Sequence, residues 1–380
     1  MTRNSGEFAH TPVFHQHGQS TRFKVSCSSL LPAFTMRTAP YNDLTPDLIL
    51  TVIEQLGLPT SGHLLALNSY ENRVYQIGLD DGHPLGRFIV AKFYRPERWT
   101  TAQIMEEHAF CQQLAGYEIP VVAPIELQGN TLHTAYYKEQ DKEQGFRFAV
   151  FPRRGGRSPE LDQRETREWI GRFLGRIHAV GQNQPFVERP TLNPQSFGRE
   201  SVAYLLASDF IPPDLRAAYQ SVTDQALDAI DACYDRAGSV ATLRLHGDCH
   251  ASNILWTDAG PHFVDFDDAR NGPAIQDLWM LLSGERHEQQ AQLNDILFGY
   301  EDFAEFDPRE LHLLEALRTL RLLHYSAWLA RRWHDPAFPT AFPWFNSPIY
   351  WQNRILELRE QIALMSEPPL RGNSDNFGNC

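Results

Sequence analysis

The sequence predicts an α+β chain folded as two unequal lobes, a small β-rich lobe followed by a larger helical one. Three observations carry this. Short apolar runs rich in β-branched and aromatic residues crowd into residues 63–152. After Pro152 and the punctuation Arg153-Arg154-Gly155-Gly156, helical periodicity dominates to residue 365. One strand-rich island, 243–267, interrupts the helices. At 380 residues the chain is too long for one ordinary core, and 42% apolar against 21% charged residues excludes a disordered or fibrous protein.

Residues 1–38 lack sustained periodicity and are expected to form a disordered tail, with Met36 as an alternative start. A helix is expected over 45–56, with Thr45 as N-cap, Pro46 in the first turn and Gly57 as its stop. Strand-like runs follow at 63–67, 73–79 and 87–94, with Asp81-Gly82 turning between the last two. A helix at 100–115 places Ile104, Phe110, Cys111 and Leu114 on one face. Two more strand-like runs lie at 121–127 and 146–152, and the polar stretch 137–145 reads as an exposed hairpin tip. Helices are expected at 163–180, 214–237, 273–283, 308–334 and 348–365. The expected organisation is therefore a tail (1–38), an N-lobe (39–152), a C-lobe (153–366) and a C-terminal tail (367–380).

The formal charge of −13 lacks the electrostatic footprint of a nucleic-acid binder and would be repelled by anionic membranes. No apolar run approaches the roughly 18 residues of a membrane helix. Five widely spaced cysteines with no CxxC speak against a disulfide scaffold or zinc ribbon. No secretory signal is evident, so a cytoplasmic protein is expected.

The chemistry lies in the island. His246-Gly247-Asp248 is followed by Asn253, an H-x-D-x-x-x-x-N spacing, and Asp265 ends the apolar strand HFVDF twelve residues later. Phosphoryl transfer needs such a set. The transferring group spreads negative charge over its oxygens, so catalysis is positioning and electrostatics. One carboxylate must meet the incoming hydroxyl, and Asp248 suits that task. A neutral oxygen and a second carboxylate must hold Mg²⁺, and Asn253 and Asp265 are hard oxygen donors. The spacing matches a kinase catalytic loop. His246, Cys249 and His250 form a second possible metal cluster, although their spacing fits no familiar zinc pattern. Asp267 and Asp268 stand either as ligands of a second metal or as turn residues.

The small lobe supplies a cation. Lys92 sits inside the apolar strand FIVAKFY and needs a buried partner there. The next helix offers Glu106 and Glu107; Glu107, seven before Leu114, is preferred. No GxGxxG occurs, and the turn Asn68–Arg73 would have to cradle phosphate through backbone amides and a hydroxyl.

These residues resemble the aminoglycoside-phosphotransferase/choline-kinase branch of the protein-kinase-like fold, with HGD in place of HRD, Asp265-Phe266-Asp267 in place of DFG and no APE segment. Within it, LNSYENRVYQ (67–76), KFYRPERWT (92–100), LRLHGDCHASNILW (243–256), FVDFDDARNGPAIQDLWMLL (263–282) and WLARRWHDPAFPTAFPW (328–344) are similar to the bacterial stress response kinase A family. The resemblance spans about residues 40–370. It implies an ATP-dependent, Mg²⁺-requiring serine/threonine protein kinase, cytoplasmic and linked to envelope stress. It implies Asp248 as catalytic base, Asp265 and Asn253 on the metal, and Lys92 on the phosphates, with Ser69 and Asn72 near the nucleotide. Ala149–Pro152 would be the adenine hinge, and Asp277 would brace the catalytic loop. The expected partners are ATP and protein substrates, for a chain acting as a monomer. Two alternatives remain open at this point: a small-molecule kinase acting on an aminoglycoside, choline or homoserine-like hydroxyl, and a non-catalytic kinase-shaped regulator. The segment 328–351, with Trp328, Trp333, Trp344, Trp351, Arg331 and Arg332, reads either as a substrate platform or as packing of the helical lobe.

Overall fold

The computed structural model of the protein describes residues 40–137 and 145–372. Helix α1 (Pro46–Gln55) starts where expected, because the Thr45 side chain accepts the Leu48 N–H and Pro46 has no orphan donor to satisfy. Strands β1 (Thr60–Leu67), β2 (Arg73–Leu79), β3 (Phe88–Phe93), β4 (His133–Tyr136) and β5 (Gly145–Pro152) form one antiparallel sheet in the order β1-β2-β3-β5-β4. Its apolar face and Ile49, Val52 and Ile53 of α1 make a core of their own.

The register sets Lys92 on the central strand β3, opposite Val74 of β2 and Ala149 of β5. Helix α2 (Thr101–Gly116) follows β3 and begins with a reciprocal cap between Thr100 and Gln103. Its Phe110, Cys111 and Leu114 join the core of the helical lobe instead of the sheet's core.

Two strand readings in this lobe need correction. Residues 121–127 are not a strand: only Val121 and Leu127 form isolated bridges, because Pro120 and Pro124 interrupt the supply of donors. The fifth strand is instead the four-residue β4, too short for its alternation to register. Residues 138–144 of the expected hairpin tip, like 1–39 and 373–380 of the two expected tails, lie outside the described residues.

The helical lobe contains α3 (Arg164–Gly181), α4 (Glu200–Ala207) and α5 (Pro213–Ala237). The island follows: β6 (Leu243–Leu245), β7 (Ile254–Thr257), β8 (Gly260–Phe263) and β9 (Arg270–Gly272), where β6 pairs with β9 and β7 with β8. Then come α6 (Ile275–Trp279), α7 (Arg286–Tyr300), α8 (Leu314–Arg332), α9 (Ala337–Ala341) and α10 (Pro348–Ser366). The helix expected over 273–283 shrinks to the five residues of α6. The one expected over 308–334 splits into a 3₁₀ turn, Pro308–Leu313, and α8. Helix α7 escaped the periodicity because its buried residues fall only in its second half, from Leu293 to Tyr300. No helix among the described residues is long and apolar enough to cross a membrane.

Helices α3 and α7 approach so closely that a Cβ on Gly171 would lie 2.0 Å from the Ile296 carbonyl oxygen. One on Gly299 would lie 2.0 Å from that of Glu168. Backbone cannot yield there as a side chain would. Gly171→Ala is therefore expected to destabilise the lobe by about 1–3 kcal/mol, seen as a lower urea midpoint; an unchanged midpoint would contradict the close packing.

Candidate active site

The loop between β6 and β7 carries His246, Asp248 and Asn253, and its shape is imposed from below. Asp277, fully buried on α6, accepts the backbone N–H of His246 through Oδ2 and of Gly247 through Oδ1, each at 2.8 Å. His178 of α3 stands 3.1 Å from the same Oδ2. Gly247 has φ +84°, and a Cβ there would meet the Asp268 carbonyl oxygen at 2.2 Å, so only glycine lets this loop lie against residues 265–268. Asp277 thus takes the bracing position expected of it.

His246 is buried and uses both ring nitrogens inside the loop. Nε2 donates to the Val264 carbonyl at 2.8 Å, which leaves Nδ1 to accept the Asp248 N–H at 3.3 Å. Cys249 is buried, and burial pushes its thiol well above the ordinary range. His246 has no nitrogen left for a metal, and among the described residues no three His, Cys, Asp or Glu side chains converge on one metal position, which argues against zinc here.

Asp248 is partly exposed, with 23% of its side chain open to solvent. Burial of its carboxyl favours the protonated form, but His250, 3.5 Å from Oδ2, and Arg321, 2.6 Å from Oδ1, outweigh it and lower the pKa. The carboxylate is therefore ionised at neutral pH. Asn253 donates through Nδ2 to the Asp248 carbonyl at 2.9 Å, which turns its Oδ1 outward as an acceptor.

Asp265 follows β8 in the left-handed region, at φ 60° and ψ 62°. Aspartate is among the few non-glycine residues that enter this region readily, and Glu97, Glu118 and Gln128 do so elsewhere in the chain. The Asp265 side chain is 53% exposed and stands 3.2 Å from Lys92 Nζ. Lys92, only 7% exposed, also lies 3.0 Å from Asp267 and 3.6 Å from Glu107. Burial alone would lower the Lys92 pKa, yet the three carboxylates raise it well above the usual lysine value, so the ammonium is permanent. The preference for Glu107 over Glu106 agrees with this placement. Glu107 faces inward and also holds Arg189 at 2.6 Å, whereas Glu106 accepts the backbone N–H groups of Val187, Glu188 and Arg189.

Asp267 and Asp268 lie in the 3₁₀ turn Phe266–Asp268, and arginines take up both carboxylates. Asp267 is buried between Arg98 and Lys92, which hold its pKa down to about 2 against the cost of burial. Asp268 takes Arg98 at 2.8 Å and Arg270 at 2.6 Å. Asn72 is also drawn into the fold: it is buried, and its Oδ1 accepts the Arg95 N–H at 3.1 Å. Ser69 lies half-buried in the same β1–β2 turn.

That turn is tied across the cleft. Glu71 accepts from Arg95 at 3.1 Å, from Arg332 at 2.8 Å and from the Trp328 indole. Arg95 continues to Asp335 at 2.7 Å, and Tyr70 meets the Phe342 ring edge-on. Trp333 and Trp351 pack in the helical lobe, whereas Trp328 and Arg332 serve this bridge, so segment 328–351 combines packing with bracing. Sequence reasoning missed Glu71, Arg95, Arg98 and Arg189. The available signal was a run of arginines at 95 and 98 next to the Lys92 strand in an acidic chain.

No Mg²⁺ or nucleotide accompanies these side chains, but the donor set fits the metal. Asp265 and the Asn253 Oδ1 are hard oxygens, one charged and one neutral. Among the described residues no three His, Cys, Asp or Glu side chains converge on one metal position, so most ligands would come from phosphates and water. Asp265→Asn, which tolerates the left-handed backbone, is expected to raise the Mg²⁺ concentration for half-maximal turnover about tenfold or more. A wild-type Mg²⁺ titration in that variant would refute the ligand role.

Comparison with known proteins agrees with this chemistry. Residues 63–314 match the model of a family described as the phosphotransferase enzyme family. The chain is 48% identical over 339 residues to stress response kinase A of Escherichia coli strain K12, covering 89% of this chain and 97% of that protein. It is 46% identical over the same length to the serine/threonine protein kinase RdoA of Salmonella typhimurium, with the same coverage. Among solved structures, amicoumacin kinase hAmiN in complex with AMP-PNP, Ca²⁺ and Ami superposes with a TM-score of 0.63. At 18% identity it covers 84% of this chain and 94% of its own, a likeness of fold.

Proposed function

The chain belongs to the phosphotransferase enzyme family and, within it, to the stress response kinase A family, and from that premise we propose that it is a serine/threonine protein kinase. It transfers the γ-phosphoryl of Mg·ATP to a protein hydroxyl in a cytoplasmic stress response. The observation that carries this reading is a braced, ionised Asp248 on the same loop as Asn253, beside a buried Lys92 circled by Asp265, Asp267 and Glu107. A phosphotransferase needs one group on the acceptor and another set on the donor, and these residues divide in that way.

Lys92 grips phosphate oxygens, and Glu107 and Asp267 keep it aimed. Asp265 and Asn253 would hold Mg²⁺, which would neutralise charge that develops on the phosphates. Asp248 accepts the hydroxyl proton as the oxygen attacks phosphorus. Asp277 and His246 fix the loop so that this acceptor need not be ordered during the reaction. A protein acceptor is supported by the 46% identity to the serine/threonine protein kinase RdoA of Salmonella typhimurium.

The test is incubation of purified protein with Mg²⁺ and γ-labelled ATP, using casein and myelin basic protein in parallel and the Asp248→Asn variant as control. Label on protein in the wild type alone supports the proposal. ATP binding without protein label would move the acceptor to a small molecule, and absence of ATP binding would end the kinase reading.

A further inference from the structure

Beyond its charge beside Asp248, Arg321 has no part in the roles assigned above. It projects from α8, and its guanidinium is 2.6 Å from Asp248 Oδ1. The Arg321 side chain is 40% exposed, whereas the Asp248 Oδ1 that it meets is buried. On the same face of α8, at helical spacing, lie Tyr325, Trp328 and Arg332, and the last two reach across to Glu71 of the small lobe. This face therefore lines the cleft, and Arg321 stands at its solvent edge over the Asp248 carboxylate. Phosphate is met elsewhere, by the buried Lys92.

We propose that Arg321 is a specificity determinant which binds an anionic group of the acceptor, so that the phosphorylated hydroxyl neighbours a carboxylate. The inference rests on the reading of Asp248 as the group that meets the acceptor. When a hydroxyl takes Asp248 it competes with Arg321 for the same carboxylate. A neutral acceptor leaves the displaced guanidinium without an anion. A cationic acceptor adds repulsion. An acceptor with its own carboxylate exchanges one partner for another, and the planar fork of arginine suits a two-point grip. The same logic disfavours cationic aminoglycosides or choline at this site.

The experiment compares three peptides of one sequence whose serine is flanked by Ala, Asp or Lys, with wild type, Arg321→Lys and Arg321→Glu, at saturating Mg·ATP. In the wild type kcat/KM for the Asp-flanked peptide is expected to exceed that for the Lys-flanked one by about tenfold or more. Arg321→Lys keeps the direction of the preference and Arg321→Glu reverses it. A wild type without acidic preference overturns the inference, whatever the variants do. So does an Arg321→Glu enzyme with the wild-type ratio, whether all rates fall together, as for a residue serving the phosphoryl group, or rise together, as for a plug on the base. A wild type that labels none of the peptides and neither casein nor myelin basic protein fails the protein-kinase reading and this inference with it. Label without charge preference fails the inference alone.

Discussion

Asp248→Asn lowers turnover about 10²–10⁴-fold while ATP affinity changes by no more than a few-fold: that is the expected result at the acceptor side of the site. The amide keeps the shape of the carboxylate but cannot take the hydroxyl proton. The loop itself survives, because its bracing runs through backbone N–H groups to Asp277 and not through the Asp248 side chain. The measurements are turnover on a protein acceptor at saturating ATP and nucleotide affinity by calorimetry. Normal turnover would remove Asp248 from the mechanism, and lost nucleotide affinity would place it on the donor side. The pH profile gives a second check. Since His250 and Arg321 hold the Asp248 pKa below its ordinary value, kcat/KM should show no acid limb from this group between pH 5 and 7, a window set by the usual aspartate pKa of about 3.9.

Lys92→Met carries the other large effect, and it acts on stability as well as rate. Glu107 and Asp267 are buried, and with Asp265 they surround the ammonium at 3.0–3.6 Å. Removal of the cation leaves two buried carboxylates short of a partner, a loss of about 3–5 kcal/mol where nothing compensates. Arg189 on Glu107 and Arg98 on Asp267 do compensate in part, so the lower end is expected, about 3 kcal/mol. Activity should vanish with it. The diagnostic is Lys92→Arg, which keeps a cation among the three carboxylates: it should regain most of the urea midpoint and little of the turnover. A midpoint as low as that of Lys92→Met would mean that the buried carboxylates do not depend on this charge.

The parts of this protein legible in sequence are those whose signal is local. Thr45-Pro46 announces α1 because a cap and an N1 proline act within one turn. The His246-to-Asn253 spacing marks the candidate catalytic loop because one short loop carries it. Lys92 was legible because a cation in an apolar strand demands an explanation. What stayed hidden depends on partners far along the chain. Asn72 meets the backbone of Arg95, Glu71 reaches Trp328 and Arg332, and Arg321 reaches Asp248. No periodicity encodes such pairs. Helix α7 failed for a related reason: half of it is polar on every side, and tertiary packing of its second half on α3 holds the rest.

One consequence concerns how such an enzyme is turned off. Glu107 rides on α2, the helix whose Phe110, Cys111 and Leu114 are fixed in the core of the large lobe, with Phe110 edge-on to Phe186 and Phe266. To swing α2 away and break the Lys92 pair, those side chains would have to enter water, at a cost on the order of 5 kcal/mol. That equals the whole differential affinity an effector needs to reverse a two-state equilibrium from 1:99 to 99:1, about 5.5 kcal/mol. The side of the proposed site that carries Lys92 and Glu107 is thus held by hydrophobic packing, and an effector would act at lower cost on access to the cleft than on the position of this helix.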